Sequence, residues 1–226
     1  MNTESGLPLV RLMHLVSPSL PVGGFTYSQG IERAVEDGWI SEAVDLERWL
    51  RHQLHHAIAA FDLPLLARMH QAVVDARDDV LEAWTDELLA GRESAELRLE
   101  EQNRGRAFAN LLEGLKVEEA DRWKPIVAKC QAAGFAFAAV RWKIAPREMA
   151  LGYAWSWLEN LVLAAVKIVP LGQTEGQRVL QRLSPELPAA VDAGLALADE
   201  EIGTSCPALA IASSRHETQY TRLFRS

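Results

Sequence analysis

Two cysteines, Cys130 and Cys206, in 226 residues are too few for a disulfide framework and fit a reducing cytosol. Basic residues are the minority: 23 Lys and Arg against 31 Asp and Glu leave a net charge of −8. That balance disfavours non-specific binding to nucleic acid or to an anionic membrane. The opening MNTESGLPLV lacks the basic and apolar regions of a signal peptide, so a cytoplasmic location is expected. No stretch alternates apolar and polar residues between turn signals, which argues against strands. There is no repeat of 20–50 residues and no low-complexity tract. G-x-x-x-x-G-K-[ST], H-E-x-x-H and C-x-x-C are all absent, so neither a nucleotide-hydrolysing loop nor a familiar zinc motif is present.

What remains is helical patterning, and the fold class it predicts is all-α: a single compact bundle of about eight to ten helices by the caps and breaks in the chain. Leu9, Leu12, Met13 and Val16 suggest a short first helix. Ser41 is placed to cap a helix carrying Leu46, Trp49, Leu50, Leu54, Ile58 and Phe61. Asp62-Leu-Pro64 reads as a break and restart, with Asp62 as cap. Gly91 ends a later helix and Ser94 caps the next. Past Pro125 an alanine-rich helix is expected through Ala139. Pro146 opens the longest apolar run, Met149 to Val169, apolar on most sides and so a central buried helix. A membrane span is disfavoured because Glu159, Asn160 and Lys167 interrupt it. Thr174-x-x-Gln177 fits a capping box, and Ser184-Pro185 starts the last clear helix, to about Ile202.

The most instructed stretch is Ser17 to Asp37, SPSLPVGGFTYSQGIERAVED. Pro18 and Pro21 fix their own φ and extend the residues before them. Gly23 and Gly24 permit positive φ or close backbone approach. Thr26 and Gln29 fit a capping box, and Tyr27, Ile31, Ala34 and Val35 share one helical face. Gly38 sits where a left-handed cap belongs. The reading is a rigid corner feeding a short helix, with Phe25 and Tyr27 as anchors.

Candidate chemistry is sparse. His52 and His56 are the best metal-like pair, four apart on a helix with His55 beside them, but further ligands are not supplied. A polar or partner-facing surface is the competing reading. Glu32 and Glu36 could pair as carboxylates or form a solvated face. Lys167 in the apolar helix must pair, snorkel or reach an interface. Acid concentrates in Asp75 to Asp121, with fourteen acidic and six basic residues, while the end reverses the balance with Arg215, Arg222 and Arg225 against Glu217. That segment, RHETQYTRLFRS, mixes arginine with Tyr220, Leu223 and Phe224, as interface hot spots do. One all-α domain, residues 1–212, and a partner-binding tail, residues 213–226, are expected. The alternative is a tail packed on its own domain.

The corner resembles the urease accessory protein F family, in which SP-x-LP-x-GGF-[ST]-YS-x-G-[IL]-E lies near the N-terminus. The resemblance recurs at Arg92 to Ser94 (RES), at Pro170 to Gln177 (PLGQTEGQ) and at Arg215 to Ser226. It implies a cytosolic, dimeric, all-α and non-catalytic protein. Its implied partners are accessory protein D (H in some systems), the nickel-carrying GTPase accessory protein G, and apo-urease. Nickel would be the cargo of that assembly, not a tightly bound cofactor. On this resemblance Arg215, His216, Glu217, Tyr220, Arg222, Leu223, Phe224 and Arg225 dock the D-type partner, ordering on contact. Tyr27 and Glu32 hold a surface for the same partner or the dimer, and Lys167 is a candidate for influencing the GTPase. A stand-alone nickel metallochaperone built on the histidine cluster, and a small helical enzyme with a site between helices, are the rival readings.

Overall fold

The computed structural model describes residues 6–226. Leu12, Leu15 and Val16 share the face by which the first helix, α1 (Leu7–Val16), lies on the long α9 (Pro146–Ile168). Contact is close because α9 carries Gly152, where a Cβ would lie 2.6 Å from Leu12 Cδ1. Eleven residues of α9 are buried, among them Tyr153, Trp157, Leu158 and Leu161, so the longest apolar run is the central helix expected of it. Around it run α2 (Ile31–Glu36), α3 (Ala43–Gln53), α4 (Leu63–Val74), α5 (Asp78–Ala90), α6 (Ala95–Gly114) and α7 (Ala120–Val127). The set is completed by α8 (Gln131–Arg141), α10 (Gln173–Leu183), α11 (Leu187–Ala196) and α12 (Pro207–His216). Among the described residues there is no strand, and the fold is all-α.

The alanine-rich α8 is buried from Gln131 to Ala139 and packs between α4 and α6. Small residues let backbones close up: a Cβ on Gly105 of α6 would sit 2.7 Å from Cys130 N. Cys130 caps α8, its Sγ accepting from Ala133 N–H at 3.4 Å. The buried surroundings, and then Glu101, push the Cys130 thiol up to about 12, which makes it a packing group and not a reactive one.

Several local expectations are revised. Asp62-Leu-Pro64 does not break the chain: α3 runs through a π-helical segment, Leu54–Asp62, directly into α4. Pro64 has no N–H to give the carbonyl four residues back, and that Ala60 carbonyl is taken instead by Gly203 N–H at 3.1 Å. The continuous helix Ala43–Val74 is long and apolar enough for a membrane by length and composition, but 72% of its apolar window is buried in the protein, as a core helix would be. Glu42, not Ser41, is the N-cap residue of α3, and Gly172 precedes α10 where Thr174 was expected to cap it. Pro125 lies inside α7, and α8 begins only after Cys130. Ser94 caps α6 as expected, through Leu97 N–H at 3.1 Å. A twelfth helix, α12, runs across residue 212 where tail was expected to begin.

Candidate functional site

The corner is built much as its glycines suggest. Gly23 has φ +74°, and Gly24 lies against Asn160 of α9, whose amide donates to the Gly24 carbonyl at 2.9 Å. The capping box does not form. Thr26 Oγ1 instead donates back to Gly23 O at 2.9 Å, closing a short 3-10 turn, Gly24–Thr26. Tyr27 is extended and buried, with Asn103 Nδ2 donating to its hydroxyl at 3.2 Å. Phe25 is no anchor: it is 63% exposed. Gln29 bridges inward, donating to Glu100 Oε1 at 3.0 Å and accepting from Trp157 Nε1 at 3.2 Å. Gly38 adopts φ +73° and caps α2 as expected.

The chain's last residues come to this corner. Glu32, on the first turn of α2, is buried and collects the tail: Leu223 N–H donates to Oε1 at 2.6 Å and Phe224 N–H to Oε2 at 2.9 Å. His216 lies between Glu32 and Glu96, and Arg222 joins Glu96 at 2.7 Å. Backbone pairing continues the attachment, with Arg225 N–H on Thr26 O and Ser28 N–H on Ser226 O, both at 2.9 Å. Glu217 accepts from Ala95 N–H at 2.8 Å, Arg215 meets Asp37 at 3.0 Å, and Lys167 Nζ sits 5.5 Å from the Phe224 ring. The segment therefore packs on its own domain, because a buried carboxylate and the 3-10 turn supply partners for its backbone. Glu36 is exposed, so Glu32 and Glu36 do not act as a pair.

Behind the corner a buried polar network joins α6, α9 and the π segment. Arg92 donates to both oxygens of Asp62, at 2.9 and 2.7 Å, and to Glu101 at 2.8 Å. Burial opposes the Arg92 charge, but Asp62 and Glu101 outweigh it and hold its pKa well above the ordinary value. Burial, with the same carboxylates, raises the Tyr153 pKa well above normal, keeping the phenol a donor toward Asp62 at 3.4 Å. The network lines a cavity of about 40 Å³, large enough for a few water molecules. A second cavity of similar size, toward Ser17, Pro18 and Phe25, shares Arg104, Gln131, Ser156 and Asn160 with the first. Glu159 lines it, and burial raises the pKa of that carboxyl against the opposing hydrogen bond of Trp155.

The family model for UreF matches residues 40–184, which is more than half of the chain. The chain belongs to the UreF family. The urease accessory protein UreF of Pseudomonas putida strain W619 is 51% identical over 223 residues, covering 99% of this chain and all of the relative. Those of Alcanivorax borkumensis and Klebsiella pneumoniae are 48% and 46% identical, each covering 96% of this chain and 97% of the relative. The matched core stops short of both the corner and α12, whereas the relatives extend over them. UreF proteins are urease accessory proteins, with a role in the maturation of urease and not in its catalysis.

In this UreF chain the sequence-predicted residues divide by exposure. Tyr220 is fully exposed and Leu223 63% exposed, with Arg215, Arg222 and Arg225 around them at the surface, while His216, Phe224, Glu32 and Tyr27 are internal. Pro18 and Pro21 lie on the surface of the corner. His52 and His56 are exposed with rings 4.5 Å apart, and His52 Nδ1 is 3.7 Å from Cys206 Sγ. Among the described residues no group of three or more His, Cys, Asp or Glu is placed to hold a metal ion. Burial, and then Glu93 and Asp62, push the Cys206 thiol up to about 11. Sequence reasoning missed Asp62, Glu96, Glu100 and Glu101. The available signal was Glu101 in the stripe Leu97, Glu101, Gly105, Phe108 and Leu112, a carboxylate on a core-facing row.

Proposed function

We propose that this protein is a non-catalytic, dimeric cytoplasmic adaptor. It joins a D/H-type urease accessory protein to the GTPase accessory protein G and regulates GTP-dependent delivery of nickel to apo-urease. The observation that carries the reading is the exposed arginine and aromatic patch, Tyr220, Leu223, Arg215, Arg222 and Arg225, held in place by the corner. Tyrosine and arginine are the residue types that dominate interface energetics. Holding the patch ordered before contact lowers the entropy cost of docking, so ordering on contact is not needed. The two adjoining polar cavities, with the carboxylates of Glu93 and Glu159 on their walls, support a route for a divalent cargo. Lys167, exposed beside Phe224, is the candidate for influencing the GTPase.

Reconstitution tests this. Apo-urease is incubated with nickel, GTP and the D- and G-type accessory proteins. Activation should require this protein and fail with Tyr220→Ala/Leu223→Asp. Equal urease activation when the protein is omitted would overturn the proposal.

A further inference from the structure

The C-terminal ends of α6 and α8 meet at an open recess of about 440 Å³. Leu115, Lys116 and Glu118 wall it from the end of α6, Arg141 and Trp142 from the end of α8, and Arg11 from α1. Both helices close with the same pair of backbone bonds. Lys116 N–H donates to Glu113 O at 2.9 Å and Val117 N–H to Leu112 O at 3.0 Å. Lys143 N–H donates to Val140 O at 3.1 Å and Ile144 N–H to Ala139 O at 2.9 Å. This closure puts its turning residue in the left-handed region, where glycine is unstrained and lysine is not. Gly38 fills that position after α2, but here it is held by Lys116 at φ +54° and Lys143 at φ +56°. The negative end of a helix favours a nearby cation, yet α2 closes in the same way without one.

Among the described residues, neither lysine nor Arg11 has a carboxylate partner. Arg11 lies over Trp142, its guanidinium carbon 5.2 Å from the ring centroid. Arg141 is paired with Glu119, and its Nε is buried without a partner. Arg11 and Lys116 therefore face Glu118 alone, and Lys143, exposed next to Trp142, adds to the positive balance. This is a positive recess in a chain of net charge −8.

That setting selects the occupant. A nucleic acid or an anionic bilayer would meet the repulsion of the whole chain. A phosphate is best held by helix N-termini, and here two helices bring their C-termini. Carboxylates on a protein segment carry their charges singly, and an apolar side chain between them would find Leu115, 45% exposed, and half-buried Trp142.

We propose that this recess docks an acidic segment of a protein partner, with carboxylates flanking an apolar side chain. The tail is anchored on Glu96 and Glu100, at the opposite end of α6. The twenty residues of α6 put about 30 Å between the two places, so each end takes its own partner. That this serves an adaptor rests on the function proposed above; the recess's choice of ligand does not.

The test is NMR on the full chain, read at the Trp142 indole N–H during titration with a blocked Glu-Leu-Glu-Glu-Leu-Glu peptide. The resonance should shift to saturation, with weaker binding in about 0.3 M than in about 0.03 M salt. The same peptide with Gln for Glu should leave it unmoved. Lys116→Gly/Lys143→Gly suits the left-handed backbone, so this variant should fold as the wild type does. It should bind the acidic peptide about fivefold or more weakly. Lysines present only to finish their helices would leave binding unchanged in that variant, and this result would overturn the proposal. So would equal shifts with the Gln peptide, or displacement of the acidic peptide by inorganic phosphate at equal concentration. If the glycine variant does not fold, the Gln peptide and phosphate decide. A failure of the tail to dock the D/H-type protein would leave peptide binding at the recess unchanged, which separates the two readings.

Discussion

Arg92 sets the stability of the polar interior. Its guanidinium is shared by Asp62 and Glu101, whose side chains are 3% and 8% exposed. Arg92→Met would leave both carboxylates buried without their cation, a loss of about 3–5 kcal/mol. Urea unfolding should show it as a lower midpoint at unchanged slope. His70 makes a different prediction. Burial lowers its pKa, with an opposing contact to the Ile144 backbone, so the folded state holds it neutral. The unfolded chain takes up the proton first, near the ordinary value of about 6.5. The contribution of His70 is complete above that value and is lost as pH falls through it toward the folded-state value. Between about pH 7.5 and about pH 5.5, His70→Gln should lose less stability than the wild type; equal losses would contradict the assignment.

At the scale of elements, the crossing of α6 and α8 depends on missing methyls, at Gly105 above all. A Cβ on Gly105 would meet the Cys130 backbone at 2.7 and 2.8 Å, atoms that cannot swing aside as a side chain would. Gly105→Ala should destabilise by about 1–3 kcal/mol. Gly114, at the end of α6, has nothing within 4 Å of the place a Cβ would take, and Gly114→Ala should stabilise by about 0.5–1 kcal/mol. Paired thermal unfolding should separate the two in sign. The burial of α9 was legible because its long apolar run is local to the sequence. The continuity of α3, the π segment and α4 was not. What rescues Pro64 is an N–H from Gly203, far along the chain, and no window around Pro64 contains it. The same holds for Thr26: its capping pattern was sound locally, but Gly30 with φ +78°, packed on Ala212 and Ser213, moves the helix start past it.

For the molecule as a whole, the corner and the tail each stood out in the sequence, but their union did not. Glu32 read more readily as part of a solvated face, since its partners Leu223 and Phe224 lie 191 and 192 residues on. The tail's mixture of arginine and aromatics was legible; which of those side chains face solvent depends on where Glu32 and Glu96 fix the backbone. Cutting the chain before Arg215 would strip Glu32 of those partners and uncover the site of Phe224, so exposed point changes probe docking more cleanly than truncation. The ordered surface centred on Tyr220 and Leu223 is proposed to bind the D/H-type accessory protein. Size-exclusion chromatography with light scattering tests it directly, on the wild type and Tyr220→Ala/Leu223→Asp, each with that partner. Only the wild type should co-elute, while both proteins keep the same helical circular dichroism. Undiminished co-elution of the double variant would contradict it.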